Sequence, residues 1–217
     1  MKALIQLVMA AGLTLLMAGC KSSNYEQGAA AGAGLQESAD KMGQGNAKID
    51  AALAALNDLV NKPGDLPTQF KTYSAAVSDL ESTAKDVQSK VASMRGKGDA
   101  YFKAWDEQTA KIQNEDIKNR SASRKEEMMK RFTDIKTSYA QASEAFKPFL
   151  QDLKDIQTAL ATDLTPGGIS SIKGVADKAN KESVPVKDSI NKLVGQFKDL
   201  GVAMGAAKPQ PPPAPAK

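Results

Sequence analysis

The chain has 217 residues, 41% of them hydrophobic, 25% charged and 5% aromatic, with a formal net charge of +4, one cysteine and no histidine. Lack of histidine excludes imidazole-based triads and imidazole metal ligands, and one cysteine makes neither an internal disulfide nor a thiolate cluster. The small excess of positive charge does not argue for a nucleic-acid partner, and the composition is that of an ordinary folded protein of one or two domains.

The first element is a targeting segment. Met1 and Lys2 precede an uncharged run from Ala3 to Gly19, which reads as a basic n-region followed by an apolar h-region. The run is shorter than the roughly 20 apolar residues of a stable membrane span. Met17, Ala18, Gly19 and Cys20 resemble the bacterial lipobox. Residues 1–19 are therefore expected to be a lipoprotein signal peptide, and Cys20 to be acylated and so to hold the mature chain on membrane lipid. Each buried methylene of its acyl chains would contribute about 0.8 kcal/mol. By resemblance to bacterial lipoproteins, Lys21 in the place of a retaining aspartate favours the outer membrane, with the protein facing the periplasm.

Residues 20–34, rich in glycine and alanine, read as a flexible tether. A helical domain is expected over residues 35–205. Apolar or small residues step alternately by three and four through four registers. The first runs Leu35, Ala39, Met42, Asn46, Ile49, Leu53, Leu56, Val60, and the second runs from Phe70 to Ile112. The third runs from Met128 to Leu160 and the fourth from Ile169 to Met204. A mean spacing of 3.5 predicts helices supercoiled around one another. The fold class that follows is all-α: an elongated antiparallel bundle or coiled coil of three long helices plus a shorter N-terminal one. The second register alone would span about 64 Å.

Turn chemistry separates the registers. Asn61 to Asp65 ends the first, and Thr165, Pro166, Gly167 and Gly168 open the fourth. Asn114 to Ala122 reads as the turn between the two longest helices, with Ser123 and Glu126 at capping-box spacing. Gly96 and Gly98 predict a kink or break in the second helix, and Pro148 and Pro185 predict bends in the third and fourth.

The charged residues mostly fit acid-to-lysine pairs four apart, such as Glu81 with Lys85 and Asp86 with Lys90, and no catalytic carboxylate pair stands out. The chain reads as a non-enzyme without cofactor or metal. Lys118, Arg120, Arg124, Lys125 and Arg131 cluster near the expected turn, a candidate contact for an anionic partner that Glu115, Asp116, Glu126 and Glu127 dilute. Trp105, Tyr101, Phe102, Phe132 and Tyr139 fit a helical core better than a ligand platform.

Residues 206–217 hold five of the ten prolines and should form an extended tail. The tail is similar to stretches of envelope proteins that reach through the cell wall, and its last residue, Lys217, is a candidate point of wall attachment.

Tyr101 to Asp106, Phe146 to Leu150 with Leu153 and Asp155, and Ile169 to Ile172 resemble a family of bacterial, often lipidated, envelope proteins known as domain of unknown function 2959. The resemblance implies a helical fold and supplies no catalytic residue; Leu160 to Asp163 lack a histidine that members tend to carry. The expectation is a lipid-anchored periplasmic bundle with a structural or scaffolding role. The alternative is a binding module that docks on peptidoglycan, lipopolysaccharide or an envelope protein through its basic tip or proline tail. Heptad stripes also serve between chains, so oligomerisation is compatible with either.

Overall fold

The structure, a computed structural model, describes residues 24–62 and 64–205. The expected signal peptide, Cys20, the proline tail and Lys217 lie outside the described residues. Those described form four helices, α1 (Asn24–Asn61), α2 (Leu66–Thr109), α3 (Glu115–Thr162) and α4 (Pro166–Ala203), and no strand.

Each of the last three helices starts at a side-chain cap that satisfies a free N–H of the first turn. Asp65 accepts from the Thr68 amide at 3.4 Å, Asn114 from that of Ile117 at 3.1 Å, and Thr165 from that of Gly168 at 3.3 Å. The Thr165 start is the one its sequence predicts. Asn114, by contrast, starts α3 well before Ser123, so the expected turn is itself helix. The polar segment after Asn114 has no apolar stripe because it lies beyond the end of α4, where there is little to pack against.

At backbone range α1 packs on α2 and α4, and α3 packs on α4 and, most sparsely, on α2. The heptad stripes face inward. They bury Leu35, Ile49 and Leu56 from α1, Tyr73, Leu80 and Met94 from α2, Phe132, Phe149 and Leu153 from α3, and Ile172, Phe197 and Leu200 from α4. Register between α1 and α4 is fixed by amide pairs: Asn57 and Asn180 exchange bonds of 2.9 and 3.0 Å, and Asn46 donates to Asn191 at 2.7 Å. Ion pairs Lys187–Asp50 and Lys198–Asp40 continue the same register.

Several expectations are corrected. Residues 24–34 are helix rather than tether, and α1, at 38 residues, is as long as α4. Small side chains there serve close packing: a Cβ on Gly28 would lie 2.8 Å from the Tyr101 ring, and one on Gly201 would lie 2.9 Å from the Gly32 carbonyl oxygen. Helix α2 shows no break at Gly96 or Gly98, and α3 and α4 continue through Pro148 and Pro185, where the expected bends concern the direction of the axis rather than its continuity. Packing on both sides compensates for the lost helical bonds. Of the two same-helix pairs named above, Glu81–Lys85 forms at 3.3 Å, whereas Lys90 reaches across to Glu37 on α1.

The same packing brings both ends of the described chain to one end of the bundle. Gly28 approaches the Met204 carbonyl, Tyr25 lies beside Gly205, and Arg124 near the start of α3 donates to the Ala203 carbonyl at 3.4 Å. The α1–α2 and α3–α4 turns lie at the other end, where Tyr73 donates to the Leu153 carbonyl at 2.7 Å.

Candidate functional site

The core has two blocks. One, toward the α1–α2 and α3–α4 turns, holds Leu56, Tyr73, Leu80, Phe149, Leu153 and Ile172. The other, toward the chain ends, holds Leu35, Met94, Phe102, Phe132, Phe197 and Leu200. Between them lies a cleft of about 650 Å³, walled by residues of all four helices.

Its origin is in the stripes. They are buried nearly throughout, except at helix ends and at one level: Asn46 on α1, Ala84 and Val87 on α2, Tyr139 and Phe146 on α3, and Ile190 on α4 are only half-buried. Gly45, Ala84, Ala142 and Ser143 put small side chains at this level, and α2 touches α3 least of any seam. Pro148, also on the wall, has no N–H to give the Glu144 carbonyl, so one helical hydrogen bond of α3 is missing at the same place. The inner walls are apolar, from Met42, Ile49, Leu80, Phe146, Leu150 and Leu193.

The rim is basic. Lys85 and Lys154 share the single carboxylate of Glu81, at 3.3 and 3.2 Å, and Lys147 pairs with Glu144 at 2.6 Å. The two lysines hold the Glu81 carboxyl below its ordinary 4.5, chiefly through the Lys154 hydrogen bond. Outside the lining, Arg95 lies 5.3 Å from the centre of the ring of Tyr139, a wall residue, in a cation–π contact. Burial raises the Tyr139 phenol pKa, and Arg95 and Lys147 oppose the rise. The site offers shape, apolar surface and positive charge, and no acid–base pair.

The sequence-predicted basic cluster lies elsewhere, along the first five turns of α3, which start at the pole that the ends of the described chain share. Lys118 pairs with Glu115 at 3.4 Å, Arg131 with Glu127 at 2.6 Å, and Lys125 with Asp106. Arg124 meets the end of α4, and Arg120 is exposed. The structure spreads these residues over a helix rather than gathering them on a turn, and most are already matched. Trp105 donates to Ser121 at 2.8 Å, and Phe132 packs edge-on against Phe102. Among the described residues no group of acids or cysteine could hold a metal, and no helix is long and apolar enough to cross a membrane.

A family model described as protein of unknown function (DUF2959) matches residues 33–199, most of the chain. The chain belongs to that family. The DUF2959 match takes in parts of all four helices and the whole cleft, and Phe146, Lys147, Pro148 and Leu150, which carry part of the sequence resemblance, line it. No curated protein and no solved structure matches the chain.

Proposed function

We propose that this DUF2959 protein is a non-catalytic, lipid-tethered spacer of the bacterial envelope: an elongated antiparallel coiled coil held by acylated Cys20 on the outer membrane and standing into the periplasm. One observation carries the reading. The start of α1, the end of α4 and the α2–α3 connection share one end of the bundle. Asn24 follows the expected anchor by only four residues, so a lipid on Cys20 would hold that end at the bilayer. The longest helix, with 48 residues, then reaches about 72 Å away from it. Arg120 and Arg124 lie at the tethered end, where the expected neighbour is lipid headgroup rather than wall polymer.

A photo-reactive amino acid placed in living cells at Gly64, on the far turn, and separately at Arg120 tests this. Gly64 is expected to capture peptidoglycan-bound or periplasmic protein, and Arg120 to capture lipid or outer-membrane protein. Exchange of those two patterns, or capture of membrane components from both positions, refutes the upright spacer.

A further inference from the structure

We propose that the mid-bundle cleft binds one long-chain fatty carboxylate, its hydrocarbon between the two core blocks and its carboxylate at the basic rim. This does not depend on the spacer reading.

Three observations select that occupant. The first is size. At about 650 Å³ the cleft is within the usual range for small-molecule sites. If a methylene fills about the space of a water molecule in the liquid, roughly 30 Å³, there is room for on the order of twenty carbons, one chain rather than two. The second is polarity. Walls from Ile49, Leu80, Phe146, Leu150 and Leu193 suit hydrocarbon, and apolar surface predominates in the lining.

The third is charge. Lys85, Lys147 and Lys154 line the cleft with only Glu81 and Glu144 to answer them, which leaves its rim with an excess of positive charge. An anionic oxygen placed among these ammonium groups gains charge-assisted hydrogen bonds that a neutral headgroup does not. The same charge disfavours the chain's own tail as occupant, since the side chains of Ala206 to Lys217 include two lysines and no carboxylate.

Entry requires no unfolding, because the cleft already opens along the sparse α2–α3 seam.

The test uses the full chain in nanodiscs and a palmitate carrying a diazirine near its methyl end. After irradiation, labels mapped by mass spectrometry are expected on Ala84, Phe146 or Leu150. Palmitate should compete for labelling at least about tenfold better than hexadecanol, the worth of one charge-assisted contact. Lys85→Gln combined with Lys147→Gln, both on the exposed rim, should abolish that preference without loss of helical circular dichroism. Ala142→Trp should block labelling by filling the cleft. Three outcomes overturn the proposal: labels spread evenly along the helices, equal competition by hexadecanol, or a marked rise in labelling when the chain is cut after Gly205, which would make the tail the occupant. If Ala142→Trp fails to fold, the competition and the lysine variants decide alone.

Discussion

At the residue scale, Gly96 and Gly98 show how two identical side chains two positions apart come to differ. A Cβ on Gly96 meets nothing within 4 Å, whereas one on Gly98 would come within 2.4 Å of the Phe132 ring. That ring is buried and held edge-on by Phe102 at 5.6 Å, so it has little room to retreat. Gly96→Ala is expected to raise stability by about 0.5–1 kcal/mol through helix propensity. Gly98→Ala should lower it, because overpacking of about 1–3 kcal/mol outweighs that gain. Urea unfolding of the two variants checks both signs. Glu81 offers a second residue-level outcome. Its carboxyl is held below the ordinary 4.5, so as pH falls the unfolded chain takes up that proton first. The stability contributed by the Lys85 and Lys154 pairs is therefore complete above about pH 4.5 and lost as pH falls through the lower folded value. Glu81→Gln should flatten the decline of the urea midpoint between about pH 5 and pH 3. An unchanged slope would show that the carboxylate titrates alike in both states.

At the scale of the element, the start of α3 is where sequence and structure part most clearly. Asn114 caps it, and Ser123 lies two turns inside. Asn114→Ala should then cost about 1 kcal/mol, the usual worth of an N-cap, while Ser123→Ala should change little. Equal costs would return the helix start to Ser123. The stripes from Phe70, Met128 and Ile169 were legible because the heptad period survives every local irregularity. The stretch from Asn24 to Gly34 was not. Its glycines and alanines have the composition of a linker, and only the approach of Tyr101, Met204 and Gly201 explains them as packing residues. Pro148 and Pro185 do not end their helices, since neighbours on two faces hold together a helix that propensity alone would interrupt. Cross-helix ion pairs such as Lys90–Glu37 and Lys178–Asp152 depend on rotation between helices, which no single-helix spacing encodes. The cleft was partly visible as small residues at one level of the stripes. Recognising it required knowing that Ala84, Ala142 and Gly45 face the same space.

At the scale of the whole molecule, the single tryptophan reports orientation. Trp105 lies four residues from the end of α2, at the pole shared by the chain ends, and makes a 2.8 Å bond to Ser121. Phe70 lies 35 residues away near the other pole, about 53 Å along the helix axis. In vesicles bearing a dansyl headgroup lipid, an upright spacer tethered through Cys20 should transfer energy efficiently from Trp105. A Trp105→Phe, Phe70→Trp variant, with its donor at the far pole, should transfer almost none. A rod lying flat would give similar transfer from both, and a rod inverted by contacts stronger than its tether would reverse them. A Cys20→Ser control should abolish transfer from either position, because the described residues hold no helix able to span the bilayer and the net charge of +4 is modest. Persistent transfer in that control would place the attraction in the exposed basic face of α3, around Arg120 and Arg124, and would remove the acyl anchor from the account. Repeating the measurement in high salt separates the two sources, since screening weakens a charge-driven contact and leaves burial of an acyl chain intact.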